Sequence, residues 1–368
     1  MEQNTNLRSL KLTSFKNYEQ QTLELAARLN AFVGHNGAGK TNLLEAIYYL
    51  CMGKSYDSRQ DSYSMRHGSD FFRLDGQFAQ PDHRIVLKVQ HRKPKVIERD
   101  GRAYERLAQH VGLLPVVLIV PDDVRLVHEG SEYRRRLLDN SLSQSDADYL
   151  RHLLTYNKLL KQRNALLKQE GSDLSLLDIY DQQMAAPAAY LHAQRSAFVG
   201  PFNDLLQQAH QLISGGQQER VELKYKSQLS DTAWLELAQG RREKDRILQR
   251  TTGGIHRDDL VFEQEGHPLK RVASQGQLKS FVLALKLAQY HLLKEQTGRY
   301  PLLLLDDIFD KLDQDRVGQL LQLLLNGDYG QIFITDTDLE RVAQLVDLDM
   351  EDWKLFEVQA GAVQESYI

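Results

Sequence analysis

Cysteine is almost absent from this 368-residue chain, which contains Cys51 alone. One cysteine excludes a disulfide framework and any zinc site built from cysteines, and it is typical of a reducing compartment. The segment Met1–Ser9 is polar, which argues against a secretory leader. We therefore expect a cytoplasmic protein.

Long hydrophobic runs are also missing. The longest is Leu113–Val120, whereas a membrane-spanning helix needs about 20 apolar residues. The sequence thus predicts no membrane association. Hydrophobic residues make up 42% of the chain and charged residues 26%, which is the composition of an ordinary globular protein. The length predicts roughly two or three compact units.

Charge is nearly balanced overall, with 46 Lys and Arg residues against 50 Asp and Glu residues, but it is spread unevenly. The segment from Asp306 to Ile368 holds 15 acidic and 4 basic residues, a balance of −11. The preceding residues hold 42 basic and 35 acidic residues, a balance of +7. The net charge of −4 therefore does not argue against binding to nucleic acid.

Hydrophobic periodicity divides the chain into a strand-rich start, a helical middle and a mixed end. Alternating residues predict short strands over 7–12, 21–25, 29–33, 73–78 and 84–91. From about Ser131 to Ile213 the spacing is helical, and Pro187 and Pro201 are expected to break or kink the pattern. We predict a compact antiparallel helix bundle there, because the arms are too short for a long coiled coil.

A phosphate-binding loop is predicted at Gly34–Thr41, which has the pattern G-x-x-x-x-G-K-[ST] between an apolar strand and a helix. Glycines let the backbone approach a phosphate, and N–H groups at the helix start point at the anion. Lys40 is expected to reach the terminal phosphates of ATP, and the Thr41 hydroxyl to coordinate Mg²⁺. The predicted nucleotide-binding residues are Gly34, His35, Asn36, Gly37, Ala38, Gly39, Lys40 and Thr41.

Two carboxylates follow the apolar strand Leu302–Leu305. A nucleotide hydrolase needs one carboxylate to hold hydrated Mg²⁺ and another to polarise the attacking water. We assign Asp306 to the metal and Asp307 to catalysis. The alternative is a buried strand that merely ends in an acidic turn, which the phosphate loop elsewhere in the chain disfavours.

The segment 274–277, Ser-Gln-Gly-Gln, precedes a long amphipathic helix. Ser274 is a good N-cap and Gly276 permits close backbone approach, so a simple capped helix is the alternative interpretation. Its position between the phosphate loop and the carboxylate strand resembles the signature segment of ABC-type ATPases of the SMC class. There the serine and glycine close on the nucleotide of the partner subunit. The resemblance implies a catalytic role for Ser274 and nucleotide contacts for Gly276 and Gln277.

Over almost its whole length the chain resembles the RecF family of bacterial recombination-repair ATPases. The most specific segments are Arg-Arg-Arg-Leu-Leu-Asp at 134–139, His-Arg-Asp-Asp at 256–259 and Ser-Gln-Gly-Gln at 274–277. Other matching segments lie at 14–18, 34–46, 53–56, 121–127, 306–313 and 333–335.

The resemblance implies an α/β fold, namely an ABC-type P-loop ATPase head with an inserted α-helical second domain. We expect residues 1–130 and 219–368 to form the ATPase domain and residues 131–218 the insertion. The cofactors are expected to be ATP and Mg²⁺. The resemblance further implies an ATP-dependent homodimer that binds gapped DNA and junctions between single and double strands. It implies that RecR and RecO act with it to load RecA, and that weak, DNA-stimulated hydrolysis releases the dimer.

Two positions depart from transporter-type ABC ATPases. Asp336 stands where those proteins place a histidine that contacts the terminal phosphate, and Asp307 stands where they place a glutamate. Both departures predict slow turnover. RecF-like proteins resemble this sequence at the paired aspartates, so the second departure is not from that family.

Basic residues form two clusters that are candidates for the DNA backbone, which positive grooves bind without reading sequence. The candidate DNA contacts of the first cluster are Arg84, Lys88, Arg92, Lys93 and Lys95. The second cluster comprises Arg134–Arg136, Arg151, Lys158, Lys161, Arg163 and Lys168. A solvated surface is the alternative for both clusters, and Arg134–Arg136 are alternatively internal ion-pair partners. His256, Arg257 and Asp258 either brace the fold or contact a ligand.

The main alternative function is the nucleotide-binding subunit of an ABC transporter. That subunit needs a membrane partner and a glutamate after Asp306, and it does not need the helical insertion. An ATPase-nuclease needs a further metal-binding domain, and a chromosome-tethering head needs long coiled-coil arms. We expect neither feature in this protein.

Overall fold

The computed structural model describes residues 3–56, 60–79, 82–169, 175–214, 219–308, 320, 323–324, 327–339 and 352–366. The chain divides into two compact units. The first unit comprises Met1–Asp123 and Leu283–Ile368, and the second unit comprises Val124–Val282.

The described strands and helices are named here in chain order. The strands are β1 (Gln3–Asn4), β2 (Asn6–Phe15), β3 (Tyr18–Glu24), β4 (Leu29–Val33), β5 (Phe71–Ala79), β6 (His83–Gln90), β7 (Val96–Arg99), β8 (Arg102–Ala103), β9 (Val116–Ile119), β10 (Val221–Lys226), β11 (Asp259–Gln264), β12 (His267–Pro268), β13 (Arg299–Tyr300), β14 (Leu302–Leu305), β15 (Ile332–Asp336), β16 (Trp353–Gln359) and β17 (Ala362–Ser366). The helices are α1 (Lys40–Met52), α2 (Arg125–His128), α3 (Ser131–Ser145), α4 (Ala147–Leu167), α5 (Ser175–Ile213), α6 (Trp234–Ile247), α7 (Leu269–Val272) and α8 (Gln275–Thr297).

A mostly parallel sheet forms the centre of the first unit, with the order β17-β16-β4-β15-β14-β9. β4 pairs in parallel with β15 and β16, and β14 pairs in parallel with β15 and β9. Every residue of β4, β9, β14 and β15 is buried, which explains why these strands are mostly apolar. Because parallel strands end at one edge, the residues that follow β4 and β14 meet there.

An antiparallel sheet of order β3-β2-β5-β6-β7-β8 forms the second layer of the first unit. Its strands alternate buried and more exposed residues, so one face carries core residues such as Leu12, Leu74 and Leu87. Helix α1 contacts strands of both sheets and contributes the fully buried Leu43 and Ile47 to their shared core. The two sheets thereby fix the position of the helix that follows the phosphate loop.

The second unit is mainly helical. α4 packs against α3 and α5, and α5 packs against α6. α5 is continuous through Pro187 and Pro201, so the expected break does not occur. The helix is held by buried apolar residues about two turns apart, which offset the backbone hydrogen bond lost at each proline. These residues are Leu177, Met184, Leu191 and Phe198.

The compact second unit is larger than the predicted insertion 131–218. It continues to Val282 and includes α6 and a three-stranded antiparallel sheet of order β10-β11-β12. α5 packs on β10, and Arg134 of α3 forms an ion pair with Asp259 of β11 at 2.7 Å. These contacts attach the sheet to the helices, which the strand-like sequence of residues 220–228 did not reveal. Among the described residues, no helix is both long and apolar enough to span a bilayer.

Candidate functional site

The phosphate loop connects the end of β4 to the start of α1, as predicted. Gly39 has φ of 118°, and a Cβ atom there would lie 2.4 Å from Nδ2 of Asn17. A Cβ atom on Gly34 would lie 2.3 Å from the carbonyl oxygen of Val358. Only glycine fits at these two positions, because both the backbone conformation and the close neighbours exclude a side chain.

Side chains from the turn between β2 and β3 hold the outside of the loop. Asn17 donates from Nδ2 to the carbonyl of Ala38 at 2.9 Å, and the Tyr18 hydroxyl donates to the carbonyl of Gly39 at 3.0 Å. Asn42 in turn donates to Oδ1 of Asn17 at 2.8 Å. These bonds fix the shape of the loop before a ligand binds, so little ordering remains to be done on binding.

Lys40 is buried and lies across the loop that precedes it. Its Nζ donates to the carbonyl of Gly34 at 2.7 Å and to that of His35 at 3.1 Å. An ammonium group has three donors, so one remains for an anion. The lysine is therefore held inside the loop in which a phosphate is expected.

Thr41 and Asp306 meet although they are 265 positions apart in the sequence. The Thr41 hydroxyl lies 2.9 Å from Oδ1 and 3.0 Å from Oδ2 of Asp306. Burial raises the pKa of the Asp306 carboxyl, and this is opposed by the hydroxyls of Thr335 and Thr41 and by the charge of Lys40. The two residues predicted to bind the metal are thus brought together.

The donor set at this point fits Mg²⁺. A hydroxyl and a carboxylate are hard oxygen ligands, and Mg²⁺ in nucleotide sites is usually held by one or two such groups together with phosphate oxygens and water. Within the described ranges, no cluster of three or more His, Cys, Asp or Glu side chains could hold a metal ion. The fit therefore depends on phosphate oxygens supplied by a nucleotide.

Thr335 positions both aspartates, and the sequence analysis assigned it no role. Its hydroxyl donates to Oδ1 of Asp306 at 2.8 Å and accepts from the backbone N–H of Asp307 at 2.9 Å. Asp307 has φ of 45°, a conformation that few residues other than glycine adopt. The signal available in the sequence was a polar residue near the end of the apolar strand β15.

Asp336 ends β15 beside the loop. Its backbone carbonyl accepts from the N–H of Gly34 at 3.2 Å, and its Oδ1 accepts from the N–H of Asp338 at 2.9 Å. The side chain therefore caps the turn after the strand. Residues 309–313, which belong to one of the segments of resemblance, lie outside the described residues.

A cleft of about 560 Å³ adjoins the phosphate loop. It is lined in part by Asn17 and Asn42, which brace the loop, and by Tyr63, Arg66 and His67. The Tyr63 side chain is 68% exposed, which is unusual for a large aromatic residue. No local sequence pattern reveals this cleft, because its two sides are about 50 residues apart in the chain.

Ser274 caps α8 in the second unit. Its hydroxyl accepts from the N–H of Gln277 at 3.3 Å, and Oε1 of Gln277 accepts from the N–H of Ser274 at 2.8 Å. This reciprocal pair is a capping box and confirms the predicted N-cap. Gln277 also donates to Glu219 at 3.0 Å. Ser274 is exposed, and its catalytic role, like the nucleotide contacts of Gly276 and Gln277, stays a prediction.

The segment from His256 to Asp258 is largely structural. His256 bonds to the Tyr156 hydroxyl at 2.9 Å through Nδ1 and to the Thr251 carbonyl at 3.1 Å through Nε2. Burial lowers the pKa of His256 to about 4. Asp258 pairs with the buried Arg195 at 2.8 Å. Only Arg257 of this segment is exposed.

The five candidate DNA contacts separate into two groups. Three are held by acidic neighbours, namely Arg84 by Asp75 at 2.7 Å, Lys88 by Glu98 at 2.6 Å and Lys95 by Asp61 at 2.8 Å. Arg92 and Lys93 are exposed in the turn between β6 and β7, and neither forms an ion pair with any residue that the structure describes. The structure therefore leaves these two cations available to a phosphate backbone.

The sequence is similar to those of known proteins. Residues 6–352 match the family model described as the RecF/RecN/SMC N terminal domain. The chain is 41% identical to the DNA replication and repair protein RecF of Flavobacterium johnsoniae, over 95% of this chain and 99% of that protein. It is 39% identical to the RecF of Phocaeicola vulgatus, over 98% of each.

Solved structures give the same result. A RecF structure described as the recombination mediator protein with ATP in the RecFOR pathway aligns with a TM-score of 0.88, at 28% identity, over 100% of this chain and 99% of that chain. An Smc head bound to a domain of ScpA aligns with a TM-score of 0.57 at 14% identity, over 98% of this chain and 97% of that chain, which shows a shared fold. The predicted α/β fold of an ABC-type ATPase head with an inserted domain is confirmed. The chain belongs to the RecF family of DNA replication and repair proteins.

Proposed function

We propose that this protein is an ATP-dependent DNA-binding protein of recombinational repair and replication-gap repair. ATP closes a homodimer on DNA at junctions between single and double strands, and hydrolysis opens it. The observation that carries the proposal is the contact of Thr41 with Asp306, because it joins the phosphate loop to the carboxylate strand. This pairing is the arrangement that nucleotide hydrolysis requires.

The phosphate loop and Lys40 hold the phosphates of ATP in this proposal, and Thr41 with Asp306 holds Mg²⁺. The bound cation neutralises charge on the phosphates. Asp307 accepts the proton of the attacking water, since it follows Asp306 directly and Thr335 fixes its backbone. A single carboxylate base with no histidine at position 336 is consistent with slow hydrolysis, which suits a switch.

The cleft beside the loop is proposed to hold the nucleoside. It adjoins Asn17 and Asn42, which brace the loop, so a nucleotide with its phosphates in the loop extends into it. Tyr63 offers an exposed aromatic face on which a base can stack. Arg66 and His67 supply polar groups at the same wall.

Dimerisation is proposed to complete the catalytic site. The N-terminus of α8 is capped by Ser274 and exposed, and a helix N-terminus stabilises a phosphate only within its first turn. In the SMC-class ATPases that the chain resembles, this serine contacts the nucleotide of the partner subunit. A two-fold dimer then closes two equivalent sites.

DNA binding is proposed to be independent of sequence, through exposed cations such as Arg92 and Lys93. The related solved structures are described within the RecFOR pathway, so RecR and RecO are the proposed protein partners, and loading of RecA is the proposed outcome. DNA is proposed to stimulate a weak ATPase, and the cytoplasm is the proposed location. The match to RecF proteins over nearly the whole chain disfavours the transporter alternative.

The test is the variant Asp307→Asn. The amide cannot accept a proton, so we expect hydrolysis to fall by roughly 10² to 10⁴-fold, the usual contribution of general base catalysis. ATP affinity should stay at the parent value and the ATP-bound dimer should persist. Turnover is measured by phosphate release, and dimer lifetime by light scattering after dilution. Asp204→Asn makes the same chemical change at an exposed position and should behave as the parent. Parent-rate hydrolysis by Asp307→Asn would show that Asp307 is not the base.

A further inference from the structure

A groove of about 700 Å³ runs between α4 and α5 in the second unit. Its floor is formed by Leu159 and Tyr180, and its walls include Thr155, Leu176 and Ile179. In the sequence, the groove is far from the residues of the proposed nucleotide site, and none of those residues lines it. Lys158, which lines it, belongs to the second basic cluster. It is open along its length, which suits a polypeptide better than a small molecule.

Two large aliphatic side chains are exposed in this groove, both on α5. Leu176 is 42% exposed and Ile179 is 51% exposed. α5 does not need them for its own packing, because it turns Leu177 and Met184 inward instead. Exposed aliphatic residues collected at one concave place mark an interaction surface more often than scattered ones do.

The floor of the groove is firmly supported. Leu166, Leu167 and Leu177 form a small buried cluster, and Tyr180 packs against it. A preformed apolar floor lowers the ordering cost of a partner that inserts side chains.

Among the described residues in and beside the groove, the charges without an ion-pair partner are positive. Lys158 lines the groove, and Lys161 lies one turn further along α4; both are exposed. The described acidic residues nearby are engaged, since Asp178 pairs with Arg242 and Asp181 pairs with Arg163. A partner with acidic residues therefore gains favourable contacts, and a basic one does not.

The spacing on both helices suits a third helix. On α4 the outward positions Leu154, Lys158 and Lys161 are four and then three residues apart, and on α5 Leu176, Ile179 and Gln183 are three and then four apart. These spacings form ridges along the two helices, between which the side chains of another helix can fit.

We propose that the groove between α4 and α5 docks an acidic amphipathic helix of a partner protein. The aliphatic side chains of that helix, spaced three or four residues apart, fill the groove over Leu159 and Tyr180. Its Asp or Glu side chains lie against Lys158 and Lys161. This surface is a protein contact and is separate from the binding of ATP and DNA.

The experiment selects peptides from a random library of about 16-residue sequences displayed on phage, with the full chain as the target. We expect enriched peptides to carry aliphatic residues at helical spacing together with Asp or Glu. The affinity of a selected peptide is then measured by fluorescence anisotropy. Ile179→Glu should weaken it at least tenfold, because it places a charge in the apolar wall. Lys158→Glu should weaken it several-fold, and more at low salt than at high salt.

Lys244→Glu is the matched control, since Lys244 is also an exposed lysine of the second unit and lies outside the groove. It should leave peptide affinity unchanged. Enriched peptides that lack acidic residues would overturn the proposal. Peptides that bind Ile179→Glu as tightly as they bind the parent would also overturn it. A change in the oligomeric state of Ile179→Glu would instead assign the groove to a second copy of the chain. A loss of duplex DNA affinity in Lys158→Glu with peptide affinity intact would assign it to DNA.

Discussion

At the scale of single residues, hydroxyl groups decide how the acidic residues of the site are used. Thr41 and Thr335 both bond to Asp306, and Thr335 also receives the N–H of Asp307. Burial raises the pKa of the Asp306 carboxyl, and these bonds oppose that effect. Two aspartates next to each other in sequence thereby receive different environments, as their separate roles in the proposed function require.

Lys40→Ala should strongly weaken ATP binding. The Nζ group is buried in the loop, and hydrogen bonds to a charged group contribute about 1.5–3 kcal/mol each, so the affinity should fall by at least roughly tenfold to a hundredfold. Isothermal titration calorimetry measures this directly. Lys11→Ala removes an exposed lysine of β2 and serves as the control. Unchanged affinity in Lys40→Ala would show that the loop does not bind the phosphates.

His256 makes stability depend on pH. Its pKa is about 4 in the folded protein and about 6.5 when unfolded, so between these values the unfolded chain binds a proton that the folded chain excludes. Stability contributed by the neutral imidazole is therefore present above pH 6.5 and is lost as the pH falls towards 4. The shift corresponds to about 3 kcal/mol.

We expect His256→Gln to lack this component of the acid sensitivity. Urea denaturation at several pH values gives the free energy of unfolding of each protein. The free energy of unfolding of the parent, relative to that of the variant, should fall by about 3 kcal/mol from pH 7 to pH 4. Parallel pH profiles would show that His256 does not titrate differently in the folded state.

At the scale of elements, the antiparallel sheet neutralises part of its own positive charge. Arg73 and Arg84 both bond to Asp75. Burial alone would raise the pKa of the Asp75 carboxyl, but the bonds to the two arginines lower it. Arg92 and Lys93, in the turn after β6, are exposed and have no such neighbours among the described residues. A count of basic residues along the sequence therefore overstates the charge that DNA can use.

The double variant Arg92→Gln with Lys93→Gln should weaken DNA binding equally for unrelated sequences. It should also reduce the slope of log affinity against log salt by about 1 for each cation removed. Fluorescence anisotropy on duplex DNA over a salt series measures both quantities. The matched control removes two charges from β6 itself, Arg84→Gln with Lys88→Gln, and should have a smaller effect because Asp75 and Glu98 already neutralise them. A larger loss of DNA affinity in the Arg84→Gln with Lys88→Gln variant would indicate that DNA binds to the face of the sheet instead.

At the scale of the whole molecule, the proposed function requires two copies of the chain. Ser274→Arg should leave ATP binding by the monomer intact, because the phosphate loop is unchanged. It should block ATP-induced dimerisation and hydrolysis, because a bulky cation replaces the exposed hydroxyl at the start of α8. Sedimentation velocity with and without ATP measures the dimer. Ser230→Arg, at another exposed serine of the second unit, is the control.

Mixing Ser274→Arg with Lys40→Ala also tests whether the catalytic site is formed between two subunits. A heterodimer of Ser274→Arg with Lys40→Ala holds one site that lacks both groups and one intact site. Some ATP-dependent pairing or activity should therefore return, unless two occupied sites are obligatory. Normal dimerisation and hydrolysis by Ser274→Arg alone would show that the serine does not act between subunits.

The sequence by itself determined the features that depend on residues close together in the chain. The phosphate loop, the strand before Asp306 and the N-cap at Ser274 each lie within about ten residues, and each was found where it was predicted. Tertiary structure decided the rest, because those features depend on residues that are distant in sequence. Thr335 reaches both aspartates across neighbouring strands, Asn17 and Tyr18 brace a loop some 20 residues away, and acidic partners neutralise Arg84 and Lys88.

α5 continues through two prolines because its buried residues hold it, and the second unit extends to Val282 because a small sheet packs on that helix. Local spacing cannot report such contacts, since whether a polar or charged side chain binds a ligand, a neighbour or water is decided by what the fold places beside it.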